Sequence, residues 1–493
     1  MSFMNTKRDL AAGIDSSTQS CTMMLRNLDD GSIVAEARAP HPPTTPPCSE
    51  QSPLDWAHAL REVCVSLQEY LPRIACISVG AQGHGLVILG SDDRPLRPAK
   101  LWNDTESAPD AERLLDILPK NEWEKRTGSI PGPALTVSKL VWTQRNHPGL
   151  LGAAEHVMLP FDYIVYFLTG QAVTERGGSS GTGYFSPFVN AWDEEILRLA
   201  LPEVALSGKL PGIIDSGAPS GVVREIPGME GLAGAVVGAG SGDNMAAALG
   251  LNAGEGDTVL SLGTSGTVYS IVRTGCVDTQ DGAINGYADA TGRFMPMVTT
   301  LNAAKVTDAF RRLLGVDAAA FDEMALSALP GSGGLTLLPY LDGERTPNLP
   351  FARGSLHGLR TDATREELAR AAVEGVVCGL LGGRDALVRS GVRFGGRFIL
   401  TGGAARSRSY RQILADMTGE EILTCTVPET AAAGACVQAA AAFFGVGTAE
   451  MSERWALPLE LAAVPSERRD ESVRTRYEEI SQRFRRDYND AAL

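Results

Sequence analysis

The sequence is short of positive charge. Lys and Arg number 44 against 59 Asp and Glu, a net charge of −15 with His neutral, and the pI is near 5.0. Nucleic acid and anionic membrane both demand a basic footprint, so neither is expected as a main partner. A local basic pocket for one small anion is compatible with this balance. Metal-ligand spacing is missing too. The eight Cys stand at 21, 48, 64, 76, 276, 378, 425 and 436 with no C-x-x-C pair, and the six His lie far apart. This argues against a zinc site and a disulfide framework, leaving buried thiols in a reducing compartment. No stretch reaches the roughly 18 apolar residues of a membrane span. The nearest, Ala431 to Phe444, is Ala-rich and interrupted by Gly434 and Gln438. Lys7 and Arg8 have no apolar run behind them, so the signal-peptide pattern is absent as well. A soluble, cytoplasmic protein is expected.

What is present is ordinary globular composition: 44% hydrophobic, 21% charged, with a mean hydropathy of −0.04. Disorder would need fewer apolar residues and a steeper charge imbalance. At 493 residues the chain exceeds the roughly 100–200 of one domain, so two or three domains are expected. Leu10 to Asp15, the hydroxyl-rich Ser16 to Ser20, and Cys21 to Leu25 read as a β-hairpin, with a third strand at Ser32 to Arg38. Six prolines from Pro40 to Pro53 make an extended loop. Ser52-Pro53-Leu54-Asp55 then opens a helix, and Ile74 to Val79 returns as a strand ending at Gln82-Gly-His-Gly85. Asp257 to Ser261, the turn Leu262-Gly-Thr-Ser-Gly266, and Thr267 to Val272 repeat the hairpin pattern half a chain later. The repetition suggests two similar halves facing a cleft; two unrelated Gly/Ser/Thr hairpins would look the same. The polar, Gly-rich Asn252 to Asp257 is the natural boundary, giving domains 1–254 and 255–493. Thr364-Arg-Glu-Glu367 is a capping box opening a helix to about Val388. Arg397 to Thr401, Gly402-Gly-Ala-Ala405 and Ser407 to Thr418 read as strand, tight turn and helix. The final segment, Glu471 to Tyr488, is dense in Arg and Glu and reads as a solvated helix.

Standard nucleotide signatures are missing. The only Gly-Lys, Gly208-Lys209, precedes Leu and lacks the upstream glycine of a P-loop, and protein-kinase signatures are absent. Gly238-x-Gly-x-Gly242 departs from the dinucleotide fingerprint because its third glycine comes one residue early and Asp243 follows. Two hydroxyl-rich turns remain, whose N–H and O–H groups can donate to phosphate oxygens; read plainly, they are only tight hairpins. Asp15 heads one turn and suits magnesium held through carboxylate and water. Asp243 lies among glycines at a strand end, where a carboxylate can accept a hydroxyl proton or simply cap a helix. His84 lies in a second glycine-bracketed strand end, as a ligand-binding residue or as a structural one.

Asp15-Ser-Ser-Thr18, Gly238-x-Gly-x-Gly-Asp-Asn244, Ser261-Leu-Gly-Thr-Ser-Gly266 and Gly402-Gly-Ala-Ala-Arg-Ser407, in this order, resemble the FGGY carbohydrate kinases. Leu96 to Asp104, Leu338 to Pro347, Gln82 to Gly85 and Leu159 to Tyr163 resemble the branch of that family acting on D-xylulose. The matches span about residues 10 to 445. The resemblance implies an α/β, two-domain actin-like ATPase (ribonuclease H-like) fold with an interdomain catalytic cleft. It implies ATP and Mg²⁺, a ketose acceptor, no nucleic acid or membrane partner, and a homodimer as the expected assembly. The N-terminal domain would bind sugar and supply the base, and the C-terminal domain would bind nucleotide. By position, Asp243 is the implied base and holds the metal together with Asp15. Ser16, Ser17 and Thr18, with Gly263, Thr264 and Ser265, fall at phosphate-contacting positions; Gly402, Gly403 and Ser407 border the adenosine. Gly83, His84 and Asn244 fall at sugar-contacting positions, with Trp102, Asn103 and Asp104 close by. Two positions depart from the pattern. Gly83 stands where these relatives usually have Met, which should loosen the sugar pocket, and Phe161 stands where they tend to carry Lys.

Overall fold

The computed structural model describes residues 8–278 and 282–491. Strands β1 (Leu10–Ser16) and β2 (Ser20–Asn27) form the expected hairpin, and β3 (Ile33–Pro40) extends it antiparallel. Burial follows position: β1 and β2 are covered on both faces, while β3 alternates toward solvent as an outer strand does. Helix α1 (Pro53–Ser66) begins where the Ser52 hydroxyl accepts the Leu54 N–H and Pro53 fills the first turn. The chain then crosses to β4 (Ile74–Ala81), parallel to β1. A long excursion follows before β5 (Pro219–Val222) and β6 (Val236–Gly238) complete the sheet in the order β5-β6-β4-β1-β2-β3. Residues of that excursion form their own apolar cluster around Leu114, Trp123, Leu140 and Ile196.

The second half repeats this plan. Strands β7 (Thr258–Leu262) and β8 (Gly266–Tyr269) form the second hairpin; β9 (Ile284–Ala288) and β10 (Phe294–Thr300) continue it antiparallel. Strands β11 (Phe398–Thr401), β12 (Ile422–Cys425) and β13 (Leu459–Ala463) give the order β9-β10-β8-β7-β11-β12-β13. In both halves the first hairpin strand is antiparallel to its hairpin mate and parallel to the next crossover strand: β1 to β4, and β7 to β11. The repeat seen in the hairpins is therefore a repeat of the fold. A long helix opens at the Thr364–Glu367 capping box, with both reciprocal bonds made, and runs over Arg365–Arg389 against the second sheet.

The helix Thr430–Phe444 belongs by sequence to the second half, yet it lies on the first sheet, its alanines packed on Ala11, Met24 and Cys76. It also crosses the helix Asp243–Gly250, where Cβ atoms at Gly434 or Gly250 would strike the facing backbone at 1.7 and 2.3 Å. Only glycines permit this approach. The apolar run at 431–444 is thus a core helix, and among the described residues no single helix is long and apolar enough to cross a membrane. The terminal helix Ser472–Ala491 corrects the expectation of a solvated element: Val473, Tyr477 and Ile480 are buried against Leu338 and Tyr340. Its Arg and Glu residues hide an apolar stripe, because the charged residues outnumber the buried ones on an amphipathic helix.

Candidate functional site

Parallel strands that end together create the site. Asp15 and Ser16 close β1 beside Gly80 and Ala81 of β4, and Ser241-Gly242 pairs with the same two residues from the other side. Asp15, the Gln82–His84 turn and Asp243 therefore meet at the carboxyl ends of adjacent strands, the usual ligand position in open α/β sheets. Asp243 is the first residue of its helix and Gly242 the cap, so the capping role is taken by its neighbour. Asp243 Oδ1 accepts two bonds from Asn244, from the backbone N–H at 2.7 Å and from Nδ2 at 2.9 Å. Burial raises its pKa to about 6, against those stabilising bonds. Asp15 is pushed up to about 8, by burial first and then by the facing charges of Asp243 and Glu429. Its Oδ1 is buried without a hydrogen-bond partner. Two carboxylates with one orphaned oxygen, on which Arg38 has the smallest of the named influences, make a donor set suited to a hard divalent cation.

The hydroxyl turn after Asp15 is held from three sides. The Thr18 hydroxyl donates to Gln82 Oε1 at 3.2 Å and accepts from Trp102 Nε1 at 3.0 Å. The Thr18 carbonyl accepts from Gln51, and the Ser17 carbonyl meets His41 Nδ1 at 2.8 Å. Trp102 is thereby tied directly to the turn. Asn103 Oδ1 and Gln82 Nε2 are buried and unpartnered, as groups awaiting a ligand would be. The Asp104 carboxylate is engaged by its own neighbourhood. One oxygen takes Lys100 Nζ at 3.0 Å and the Ser49 N–H at 2.9 Å; the other takes the Glu106 N–H at 3.1 Å. Its carboxylate is spent anchoring the turn. Cys48, Glu50, Asp104 and Glu106 cluster closely enough to suggest a metal, but the Lys100 ammonium already pairs with all three carboxylates.

His84 adopts a left-handed φ of 64°. Its ring lies against Gly181, where a Cβ would come within 2.0 Å of Nδ1, and its Nε2 is 3.4 Å from the Tyr287 hydroxyl of β9. Burial, with Lys139 and Arg345 nearby, lowers its pKa to about 3, so the ring is neutral near pH 7. A Cβ at Gly83 would meet nothing within 4 Å. The second half contributes the 263–265 turn, fastened by Ala304 N–H to Gly263 O at 3.0 Å and Ala303 N–H to Thr264 O at 3.2 Å. Gly402 has φ 88°, and a Cβ there would strike the Leu262 backbone, whereas one at Gly403 would meet open space. The Ser407 hydroxyl caps the next helix at Tyr410 N–H and donates to Asp322 at 2.6 Å.

Beneath Asp243 lies support that motif reading missed. Phe161 is fully buried, its ring against Gly178 and Gly240, so the departure from Lys places an apolar wedge under the glycine turn. Gln438, the residue that interrupts the apolar helix, accepts from Ser78 Oγ at 2.8 Å and donates to Gly240 O and Ser216 O at 2.9 Å each. A lone amide in an alanine-rich helix was the available signal. Tyr287 carried no comparable signal, and Arg345, although inside the Leu338 to Pro347 motif, has nothing in its local sequence to show that it lies near His84.

Residues 10–250 match the FGGY family of carbohydrate kinases, N-terminal domain, and residues 258–443 match its C-terminal domain. The chain is 40% identical over 447 residues to the xylulose kinase of Streptomyces coelicolor, with 90% of each chain covered. It is also 40% identical over 457 residues to that of Streptomyces rubiginosus, with 92% of each covered. Among solved structures it resembles the xylulose kinase from Bifidobacterium adolescentis at 31% identity and a TM-score of 0.84, covering 96% of this chain and 99% of that one.

Proposed function

The chain belongs to the FGGY family of carbohydrate kinases, and on that premise we propose that it transfers the γ-phosphoryl group of ATP to D-xylulose, giving D-xylulose 5-phosphate. It is an ATP-dependent sugar kinase with the actin-like fold of that family; the sugar is our reading, supported by its 40% identity to xylulose kinases. The observation that carries the chemistry is the Asp15–Asp243 pair at the carboxyl ends of adjacent strands. Asp243 accepts the proton of the attacking sugar hydroxyl. Asn244 occupies only its Oδ1, leaving Oδ2 for that proton, and a pKa of about 6 keeps the group ionised yet basic near pH 7. Asn244 thus orients the base, while Gly83, His84, Trp102 and Asn103 surround the sugar and Asp104 holds their turn.

Ser16 to Thr18 and Gly263 to Ser265 donate backbone and hydroxyl groups to the phosphates from the two halves. Gly402, Gly403 and Ser407 border the adenosine, with open space over Gly403 to receive it. The residues fit Mg²⁺, held by Asp15 through its orphaned Oδ1 together with Asp243; when bound, the ion neutralises phosphate charge. Phosphoryl transfer needs little more than positioning and charge neutralisation. The cleft excludes water that would otherwise take the phosphoryl group. Eight unpaired thiols suit a cytoplasmic enzyme.

The test is Asp243→Asn, which is isosteric. Sugar phosphorylation is expected to fall about 10²–10⁴-fold, while nucleotide affinity and thermal unfolding stay near wild type. Activity within about threefold of wild type, with the structure intact, would refute Asp243 as the base. A coupled assay across ketoses, polyols and gluconate tests the sugar.

A further inference from the structure

The sugar pocket has a wall that the family motifs do not supply. Tyr287 lies on β9, the outermost strand of the second sheet, and that strand is docked onto the first half. Gly286 N–H donates to Gly128 O at 2.6 Å, and Ala288 N–H donates to Ser180 Oγ at 3.1 Å. Between these two bonds the Tyr287 side chain projects to His84, with ring centroids 5.6 Å apart and Oη 3.4 Å from Nε2. The Arg345 guanidinium lies close by, and its positive charge acts on the phenol oxygen. Arg is a donor only. Its charge therefore draws the lone pairs of the phenol oxygen and leaves the Tyr287 O–H to donate toward His84.

Accepting from Tyr287 at Nε2, the neutral His84 ring then carries its proton on Nδ1, which lies against Gly181 with no hydrogen-bond partner of its own. A separation of 3.4 Å is long for an O–H···N bond, so both groups have capacity for a third oxygen. Beside them, Gly83 leaves open space where a side chain would stand. Resting on the sugar-kinase reading above, we propose that Tyr287 is a sugar-contacting residue: its hydroxyl, backed by Arg345, and Nε2 of His84 together grip one hydroxyl of the acceptor sugar. The sugar hydroxyl donates to Nε2 and accepts from Tyr287. The pair thus selects for a hydroxyl that can do both, and rejects a deoxy or carbonyl group at that position.

Tyr287→Phe tests this, because the ring and its packing are kept. The wild-type enzyme's own turnover of D-xylulose judges the sugar-kinase reading; the variant judges this proposal. With the best sugar of the wild type, KM for the sugar should rise about 3- to 10-fold, the factor for one modest hydrogen bond, while KM for ATP stays unchanged. Across monodeoxy analogues, one should show no difference between wild type and variant, since it lacks the gripped hydroxyl. An unchanged sugar KM, or an equal penalty on every analogue, overturns the proposal. A measurement on the wild type alone covers a variant that folds poorly. Ring-¹⁵N signals of His84 should show Nδ1 protonated and Nε2 bare, with Nε2 shifting on sugar addition. The opposite tautomer, or an unmoved Nε2, also overturns it.

Discussion

Gln438→Leu is the sharpest probe of how the fold positions Asp243. The amide is fully buried in a largely apolar helix; it holds the turn before Asp243 directly at Gly240 and through Ser78, which also bonds Gly240, and its third bond goes to Ser216. Leucine has nearly the same volume, so little cavity forms. It leaves the carbonyls of Gly240 and Ser216 and the Ser78 hydroxyl without their partner. Each buried orphan costs about 1–3 kcal/mol. Ser78 Oγ also accepts the Gly240 N–H at 3.3 Å, so it loses least. A total near 3–5 kcal/mol follows, a large fraction of the typical 5–15 kcal/mol of a folded domain. The catalytic consequence is separate. Gly240 stands three residues before Asp243, and a shift of about 1 Å in a reacting group can cost about 10²-fold. Urea unfolding gives the first number; kcat at saturating ATP and sugar gives the second. Nucleotide affinity should stay within about twofold, because Gln438 bonds to none of the turns proposed to meet ATP. A stability loss below about 1 kcal/mol together with kcat within threefold of wild type would refute the reasoning.

The turns proposed to face ligand were legible in the sequence because glycines, hydroxyls and lone carboxylates at strand ends are local signals. Asp15, Asp243 and the Gly402 turn stand out in this way, and the strands that carry them were found from the same punctuation. What could not be read was pairing across distance. Phe161 looks like any core aromatic until its ring is seen under Gly178 and Gly240. Asp104 sits in a motif suggestive of sugar contact, but Lys100, four residues away, captures it along with Glu50 and Glu106. The helix Thr430–Phe444 lies beyond the linker yet covers the first sheet. Its alanines and Gly434 encode the close approach, but not the surface approached. The terminal helix misleads for a related reason: its charge density is conspicuous, while Val473, Tyr477 and Ile480 are sparse enough to escape notice. In each case composition reports chemistry and spacing reports local shape, whereas the partner is chosen by topology.

Three further perturbations discriminate the remaining claims. Asp15 and Asp243 keep their protons to about 8 and about 6 in the folded chain, against 3.8 for each as a free carboxyl. At these two sites the metal-free folded state binds more protons than the unfolded chain, so their contribution to stability should fall as pH rises from about 4 to about 8. Asp15→Asn should flatten that decline in EDTA, and a variant curve as steep as wild type would contradict it. Phe161→Lys should cost about 3 kcal/mol or more in urea unfolding, because the ammonium enters a fully buried site; a cost under about 1 kcal/mol would mean the wedge is not needed. Gly83→Met restores the side chain that the xylulose-acting relatives usually carry. The Cβ direction meets open space, so the substitution should leave thermal unfolding unchanged. A long thioether there would cover the sugar's carbon face, a gain of about 1–3 kcal/mol of apolar contact. KM for D-xylulose should fall by about fivefold or more, and bulkier ketoses, which the open space admits, should lose turnover. The measurement is kcat/KM for each sugar in both forms. If the substitution weakens D-xylulose while another ketose or a polyol is the native enzyme's best substrate, the space beside His84 is shaped for that sugar, and D-xylulose is not the acceptor.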